Sequence, residues 1–414
     1  MRIENLKSKI SHQSARVAAD VIWEDCDLPM QEVYFQTSRE FANYLLCNPH
    51  AFLIASSIPA MHYGERRISI DAEVCPELRE GLMVAMGWLS HWFEPERSKI
   101  VVETKPSLSI RSPRTPERAG LFFSGGIDSF ASLCSNHIDF PVEHPWRIKD
   151  GILVYGLELD DSAAFDCVVR SLSSVAQNIG ITLIPIHTNV YLLYRDEDAG
   201  DNFKFWNDKF MGAALASVAH ALAKGLTVVS IASARHLRDQ VPHGSHPLVD
   251  TNYSSSDLRI RHDGLTLSRL ARTKLVADSG ELLDNIRVCN QYKLYRPGRL
   301  NCGRCEKCVR TMLALLVLGA LNKTSAFPED DVSEELAWSA IELKDELLPL
   351  YEELIMPLTE KGRHDLVHIL QKKITQYQNS KRKYYWKNMA KRIDSRYLKG
   401  NFKKLKRLIQ SSQT

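Results

Sequence analysis

Residues 121–129 read Leu121-Phe122-Phe123-Ser124-Gly125-Gly126-Ile127-Asp128-Ser129. An apolar strand ends, two glycines turn the chain, and a helix is expected to open at Ser129. Adjacent glycines let backbone N–H groups close around an anion with no side chain in the way. The helix that follows aims its positive end at the same point. Ser124 and Ser129 add hydroxyl donors, and Asp128 adds a carboxylate suited to a Mg2+ ion bridging phosphate oxygens. The run Ser124, Gly125, Gly126, Ile127, Asp128 and Ser129 therefore reads as a nucleotide-phosphate loop, with Ser124 and Asp128 as catalytic candidates. A plain glycine turn would leave the two serines and the aspartate unexplained. The lysine-containing G-x-x-x-x-G-K-[ST] loop is absent from the sequence.

Downstream of this loop, apolar runs of strand length alternate with helical spacing. Strands are expected at 120–123, 151–159, 181–188 and 226–234, and helices near 129–137, 162–179 and 207–224. Continuous apolar strands separated by helices imply an α/β fold with a doubly wound parallel sheet covered on both faces. Ligands in such sheets bind beyond the carboxyl ends of the strands. Upstream, residues 1–118 read as a separate mixed α+β domain. Its strands are expected at 32–36 and 67–71, its helix at 76–93, and a proline-rich, charged linker at 104–118. Residues 119–312 form the expected nucleotide domain, and 313–414 a helical region.

Four of the nine cysteines cluster, as Cys289, Cys302, Cys305 and Cys308. Cysteines two residues apart on a tight turn converge on one tetrahedral ion, and Gly303 permits the turn. Four thiolates close the shell, so a structural Zn2+ is expected, with an iron–sulfur cluster as the alternative. Between the fourth strand and this cluster lies a polar loop. His243, Ser245, His246, Asp250, His262 and Asp263 are its candidate substrate residues, since the carboxylates accept from an amino edge and the imidazoles move protons near neutral pH. The bland alternative is an exposed loop with local turns. His187, Trp206, Asn207, Glu158, Asp160 and Asp161 are weaker candidates near strand ends, and Asp161 also reads as a helix cap.

The remaining composition is that of an ordinary globular protein, with 44% hydrophobic and 25% charged residues. Net charge is +3, but 14 of the 53 Lys and Arg, and one of the 50 Asp and Glu, lie in 371–414, so residues 1–370 carry a net −10. The basic tail interleaves Tyr384, Tyr385, Trp386, Tyr397 and Phe402. A docked helix with a solvated face is the simplest reading. A partner-protein site comes next, and nucleic acid or a membrane surface is less favoured. The first ten residues lack an apolar signal core, and no apolar run is long enough to span a bilayer, so a cytoplasmic location is expected.

The phosphate loop resembles the S-G-G-x-D-[ST] signature of PP-loop ATP pyrophosphatases. Together with the cysteine triplet, the upstream cysteine and Arg310 shortly after, the stretch 119–312 resembles 7-cyano-7-deazaguanine synthases (QueC). It is similar in particular to the longer QueC-like proteins of bacterial antiviral defence systems, which carry an added N-terminal domain. The resemblance implies ATP as cosubstrate and cleavage between its α and β phosphates. It implies adenylation of a carboxylate such as 7-carboxy-7-deazaguanine, and formation of an amide, a nitrile or a conjugate with a protein amine. Arg269, Arg272 and Lys274 lie on an expected helix, and the resemblance makes Lys274 the cation that steadies pyrophosphate. Two other readings are a PP-loop thiolase acting on a tRNA base and a nucleotide-binding scaffold without turnover.

Overall fold

The computed structural model describes residues 1–96, 100–107, 117–157, 159–194, 199–296 and 298–397. The chain opens with an antiparallel meander of β1 (Arg2–Ile10), β2 (Ser14–Ile22) and β3 (Gln31–Ser38). Next come α1 (Pro49–Tyr63), β4 (Arg67–Val74), α2 (Pro76–Phe93) and β5 (Val101–Pro106). Then β6 (Ala119–Phe122), α3 (Ile127–Asp139), β7 (Ile148–Tyr155), α4 (Ser162–Ile179) and β8 (Thr182–Thr188) alternate. A helical stretch follows: α5 (Ala199–Phe205), a π-helical turn (Trp206–Phe210) and α6 (Met211–Ala221). It leads to β9 (Val228–Ala232), α7 (Pro247–Asp250), β10 (Arg259–Asp263), α8 (Arg269–Asp278), α9 (Gly280–Leu283) and α10 (Glu306–Val317). The chain ends with α11 (Glu334–Ala340), α12 (Leu348–Glu360) and α13 (His364–Tyr397).

Among the described residues, ten strands join one sheet in the order β10-β9-β6-β7-β8-β3-β2-β1-β4-β5. Six of its pairings are parallel, so the fold is α/β with a mostly parallel sheet. From β6 the chain steps outward to β7 and β8, then returns past β6 to β9 and β10. The loop after β6 therefore lies where the strand order reverses, the point at which open α/β sheets leave a crevice.

The segment 1–118 is not set apart from this sheet. β3 pairs antiparallel with β8, through Phe35–Thr188, Gln36–His187 and Thr37–Ile186. Tyr44 donates to the buried Asp150 of β7, which also holds Arg118. The sheet's two ends approach each other as well, since the backbone N–H of Ser256, before β10, reaches Sγ of Cys75, after β4, at 3.3 Å. Within this curl runs α1, buried without interruption from His50 to Met61. A helix apolar on every side has no polar face and belongs inside a core. Its start is fixed by Asn48, which accepts from the His50 N–H, and by Pro49 at the first position. The compact units run 1–331 and 332–414, so the divisions at 118 and 312 are replaced by one near 331. Of the expected linker, residues 108–116 lie outside the described residues.

The second unit is built on α11, α12 and α13. Ser333 caps α11 by accepting from the Leu336 N–H, and Arg363 bridges the Val332 carbonyl and Asp365. The Lys372 and Lys373 ammonium groups lie over the Trp338 ring, at 4.9 and 4.4 Å. Tyr384, Tyr385 and Trp386 of α13 are exposed. Residues 398–414, including Phe402, lie outside the described residues. No described helix is long and apolar enough to cross a membrane.

Candidate functional site

Phe122 ends β6 and the chain turns through Ser124 to Gly126 into α3. Gly125 sits at φ +79°, where a Cβ would be strained and would meet Leu172 Cδ2 at 3.2 Å and Arg287 Cβ at 3.3 Å. The turn is held from inside. Ser124 Oγ accepts from the Gly126 N–H at 3.3 Å, and Ser129 Oγ donates to the Gly126 carbonyl at 3.0 Å. Gly126 is the N-cap residue of α3 and offers no side chain to cap it. The first-turn N–H groups of a helix have no partner within it, so this end favours an anion. The helix opens two residues earlier than expected, which brings Ile127 and Asp128 into its first turn.

Asp128 carries both cations that α8 brings to the loop. Arg269 Nη1 donates to Oδ2 at 2.6 Å, and Arg272 Nη1 donates to Oδ1 at 3.0 Å. Burial pushes the Asp128 carboxyl up, but the two guanidinium groups outweigh it and hold the group below its usual range. The cluster of one carboxylate and two guanidiniums has net charge +1. Each Asp128 carboxylate oxygen already holds one guanidinium, so a magnesium ion there would share the oxygens with the arginines. Arg272 also ties the loop to the strand ends, since its Nη2 donates at 2.8 Å to the carbonyls of Arg235, after β9, and Gly264, after β10. The expected cation, Lys274, is elsewhere: its side chain is 61% exposed and bound to Asp278. Residues 269 and 272 lie about 60° apart around a helix, whereas 274 is well over 120° from either. Only the arginines therefore share the face toward α3.

The polar segment before the cysteines divides into three. His243 Nδ1 accepts from the Ser245 N–H and shapes a local turn. His246 caps α7 by accepting from the Leu248 N–H and packs its ring on Trp92 at 4.9 Å. Burial and the neighbouring His262 lower its pKa. Ser245, Asp250 and His262 converge. The fully buried Asp250 accepts from Ser245 Oγ at 2.7 Å, the His246 N–H at 3.3 Å and His262 Nδ1 at 2.8 Å. His262 and Asp263 belong to β10, a strand missed in a stretch read as loop. Of its five residues only Ile260 is buried, so no apolar run marked it. Asp263 pairs with Arg261 at 2.9 Å. A cavity of about 850 Å³ runs along β10 from Arg259 to Asp263, bounded by Ser254–Ser256 and Glu77. The loop residues 124–129 do not line it.

Three of the weaker candidates have capping or packing contacts: Asp161 caps α4 through the Ala164 N–H, the His187 ring packs against Tyr155 and Phe165, and Trp206 is buried. Glu158 lies outside the described residues.

Cys289, Cys302, Cys305 and Cys308 bring their sulfur atoms within 4.8 Å of one another. The separations Cys302–Cys308 and Cys289–Cys305 are 3.9 and 3.8 Å. Sulfur atoms about 2.3 Å from a tetrahedral ion stand roughly 3.8 Å apart, so the donors fit a metal such as zinc. The hydrogen bonds among the thiols pull Cys289 down and push Cys305 and Cys308 up. A divalent cation held there would stabilise every thiolate at once. Gly303 at φ +73° turns the knuckle, where a Cβ would meet Pro328 at 2.4 Å. Arg310 is buried and pairs with Glu306.

Two residues that composition and spacing did not mark bind this knuckle to the Ser124–Ser129 loop. Asn301, buried, spends all four hydrogen bonds on backbone: Oδ1 accepts from Val288 and Cys289, and Nδ2 donates to Ile286 and Ala326. Arg287 then reaches the loop, with its N–H on the Gly125 carbonyl at 2.8 Å and its Nη1 on the Ser124 carbonyl at 3.0 Å. Its Nε donates to the Tyr295 hydroxyl, which donates to the Cys289 carbonyl. Nothing in composition or spacing marked either residue. No family model, curated protein or solved structure matches this chain.

Proposed function

We propose that the protein is an ATP-dependent, AMP-forming enzyme that adenylates a carboxylate and passes the acyl group to an amine. The observation that carries the reading is the Ser124–Ser129 loop itself, at the reversal of strand order, with an uncapped helix end and two guanidiniums at Asp128. The return of the chain past β6 also supports the doubly wound arrangement expected from the alternation of strands and helices. The triphosphate of ATP binds over Gly125 and Gly126, the substrate carboxylate attacks the α-phosphorus, and pyrophosphate leaves. Arg269 and Arg272, rather than Lys274, offset the charge that develops on the leaving group. The magnesium of the reaction enters with the nucleotide and is not assigned a ligand on the protein.

The resemblance to QueC-like proteins makes 7-carboxy-7-deazaguanine the first carboxylate to test. Purified protein with Mg-ATP, this carboxylate and ammonia is expected to yield AMP, pyrophosphate and an amide or nitrile, read by mass spectrometry. ATP binding without AMP for this or any related carboxylate defeats the reading and leaves a nucleotide-binding scaffold.

Zinc is the proposed occupant of the cysteine cluster, in a structural role because four thiolates leave no open position. Cys305→Ser is expected to lower bound zinc from one equivalent per chain and to lower the melting temperature, because metal binding and folding are coupled. Elemental analysis beside a thermal scan checks both. Full zinc in the variant excludes Cys305 as a ligand.

A further inference from the structure

We infer that His262 is the base that takes the proton from the attacking amine, with Asp250 as its positioning residue. The inference rests on the adenylation reading. Four observations carry it. Asp250 is fully buried and holds His262 Nδ1 at 2.8 Å, which assigns the ring proton to Nδ1 and leaves Nε2 as the acceptor. Ser245 Oγ and the His246 N–H fix the carboxylate from its other sides. The His262 side chain is only 4% exposed, yet the residue lines the 850 Å³ cavity, and Nε2 makes no hydrogen bond to any described residue. Arg272 joins this strand end to the phosphate loop, binding Gly264, two residues after His262, and Asp128 of the loop. A nucleophile entering along β10 thus meets an oriented imidazole on a strand whose end Arg272 ties to the Ser124–Ser129 loop.

The step balances. The amine nitrogen forms a bond to the acyl carbon of the adenylate, the bond from that carbon to the AMP oxygen breaks with its electron pair, and AMP leaves. The proton lost by nitrogen goes to His262 Nε2. Adenylation itself needs no such proton transfer, because the attacking carboxylate is already an anion. The two half-reactions should therefore separate.

The test is His262→Gln, with 7-carboxy-7-deazaguanine as the probe carboxylate. Carboxylate-dependent ATP–pyrophosphate exchange is expected within about twofold of wild type, while amide formation from ammonia falls by about 10²- to 10⁴-fold. Hydroxylamine, largely unprotonated at neutral pH, is expected to restore most of the acyl transfer. Asp250→Asn, which keeps the side-chain size but disturbs the tautomer, is expected to show the same split, and zinc content and melting temperature report its fold. Amide formation at the wild-type rate in His262→Gln overturns the inference. So does a parallel loss of exchange and amide formation, which would make His262 a packing residue. Absence of exchange in the wild-type protein is a different result: it removes the adenylation reading, and this inference falls with it.

Discussion

Asp128→Ala is expected to abolish AMP formation and to cost about 3 to 5 kcal/mol of stability, the range for breaking one side of a buried ion pair. The two effects have one origin. Asp128 is 24% exposed, Arg272 only 2%, and removing the carboxylate leaves two guanidiniums facing each other across the start of α3. Arg272 keeps its carbonyl partners at 235 and 264 but loses the Asp128 carboxylate. The arginines then lose the geometry that aims them at a leaving group. Asp128→Asn keeps the shape and separates the effects, with turnover expected to fall and stability to fall less than in the alanine variant. The pH dependence has a definite sign. The Asp128 pKa is depressed in the folded state, so its contribution is present above its unfolded value, near 4, and is lost as pH falls through the folded value. Urea unfolding followed from pH 7 downward should show the stabilities of the wild-type and Asn proteins drawing together in acid. An alanine variant with wild-type stability would mean that the Arg269 and Arg272 contacts are surface pairs of little worth.

The strand, glycine turn and helix start around Ser124–Ser129 were legible because they depend on residues next to each other in sequence. An apolar strand, two glycines and the first turn of a helix are all local, and the four strands and helices around them follow from periodicity. The cysteine cluster was legible for the same reason. What depended on distant pairing was not. Nothing in Val33–Thr37 announces that it will meet Pro185–Thr188, so the first 118 residues read as a separate domain. α1 has no polar face, and a helix without a face has no phase to detect. β10 reads Arg-Ile-Arg-His-Asp, an edge strand whose one buried residue carries no pattern. The spacing of Arg269, Arg272 and Lys274 does show that only the first two share a helix face. Which face meets Asp128 is decided by the packing of α8 on α3, and that packing is tertiary.

Asn301→Ala is expected to be among the most destabilising single substitutions in the 1–331 unit, costing about 3 to 5 kcal/mol. It strands two buried N–H groups and two carbonyls, each worth about 1 to 3 kcal/mol when left unsatisfied, less what entering water returns. Those four groups lie in two separate stretches, at Ile286–Cys289 and at Ala326, so no local rearrangement can satisfy them together. Asn301→Asp is expected to do no better. It keeps both acceptor bonds but turns a negative oxygen toward the Ile286 and Ala326 carbonyls, beside a cluster of thiolates. The larger consequence is functional. Cys289 and Arg287 sit on the strand of backbone that Asn301 holds, and Arg287 is the residue that grips the Ser124 and Gly125 carbonyls. Loosening Asn301 should therefore weaken zinc retention and ATP affinity in step, although Asn301 meets the cysteine cluster only through the Cys289 N–H and reaches the Ser124–Ser129 loop only by way of Arg287. Titration of zinc with a competing chelator, alongside nucleotide binding by calorimetry, measures the two losses in the same preparation. Zinc lost with ATP affinity intact would show that the phosphate loop holds its shape without Arg287, and that the cysteine knuckle stabilises only its own turn.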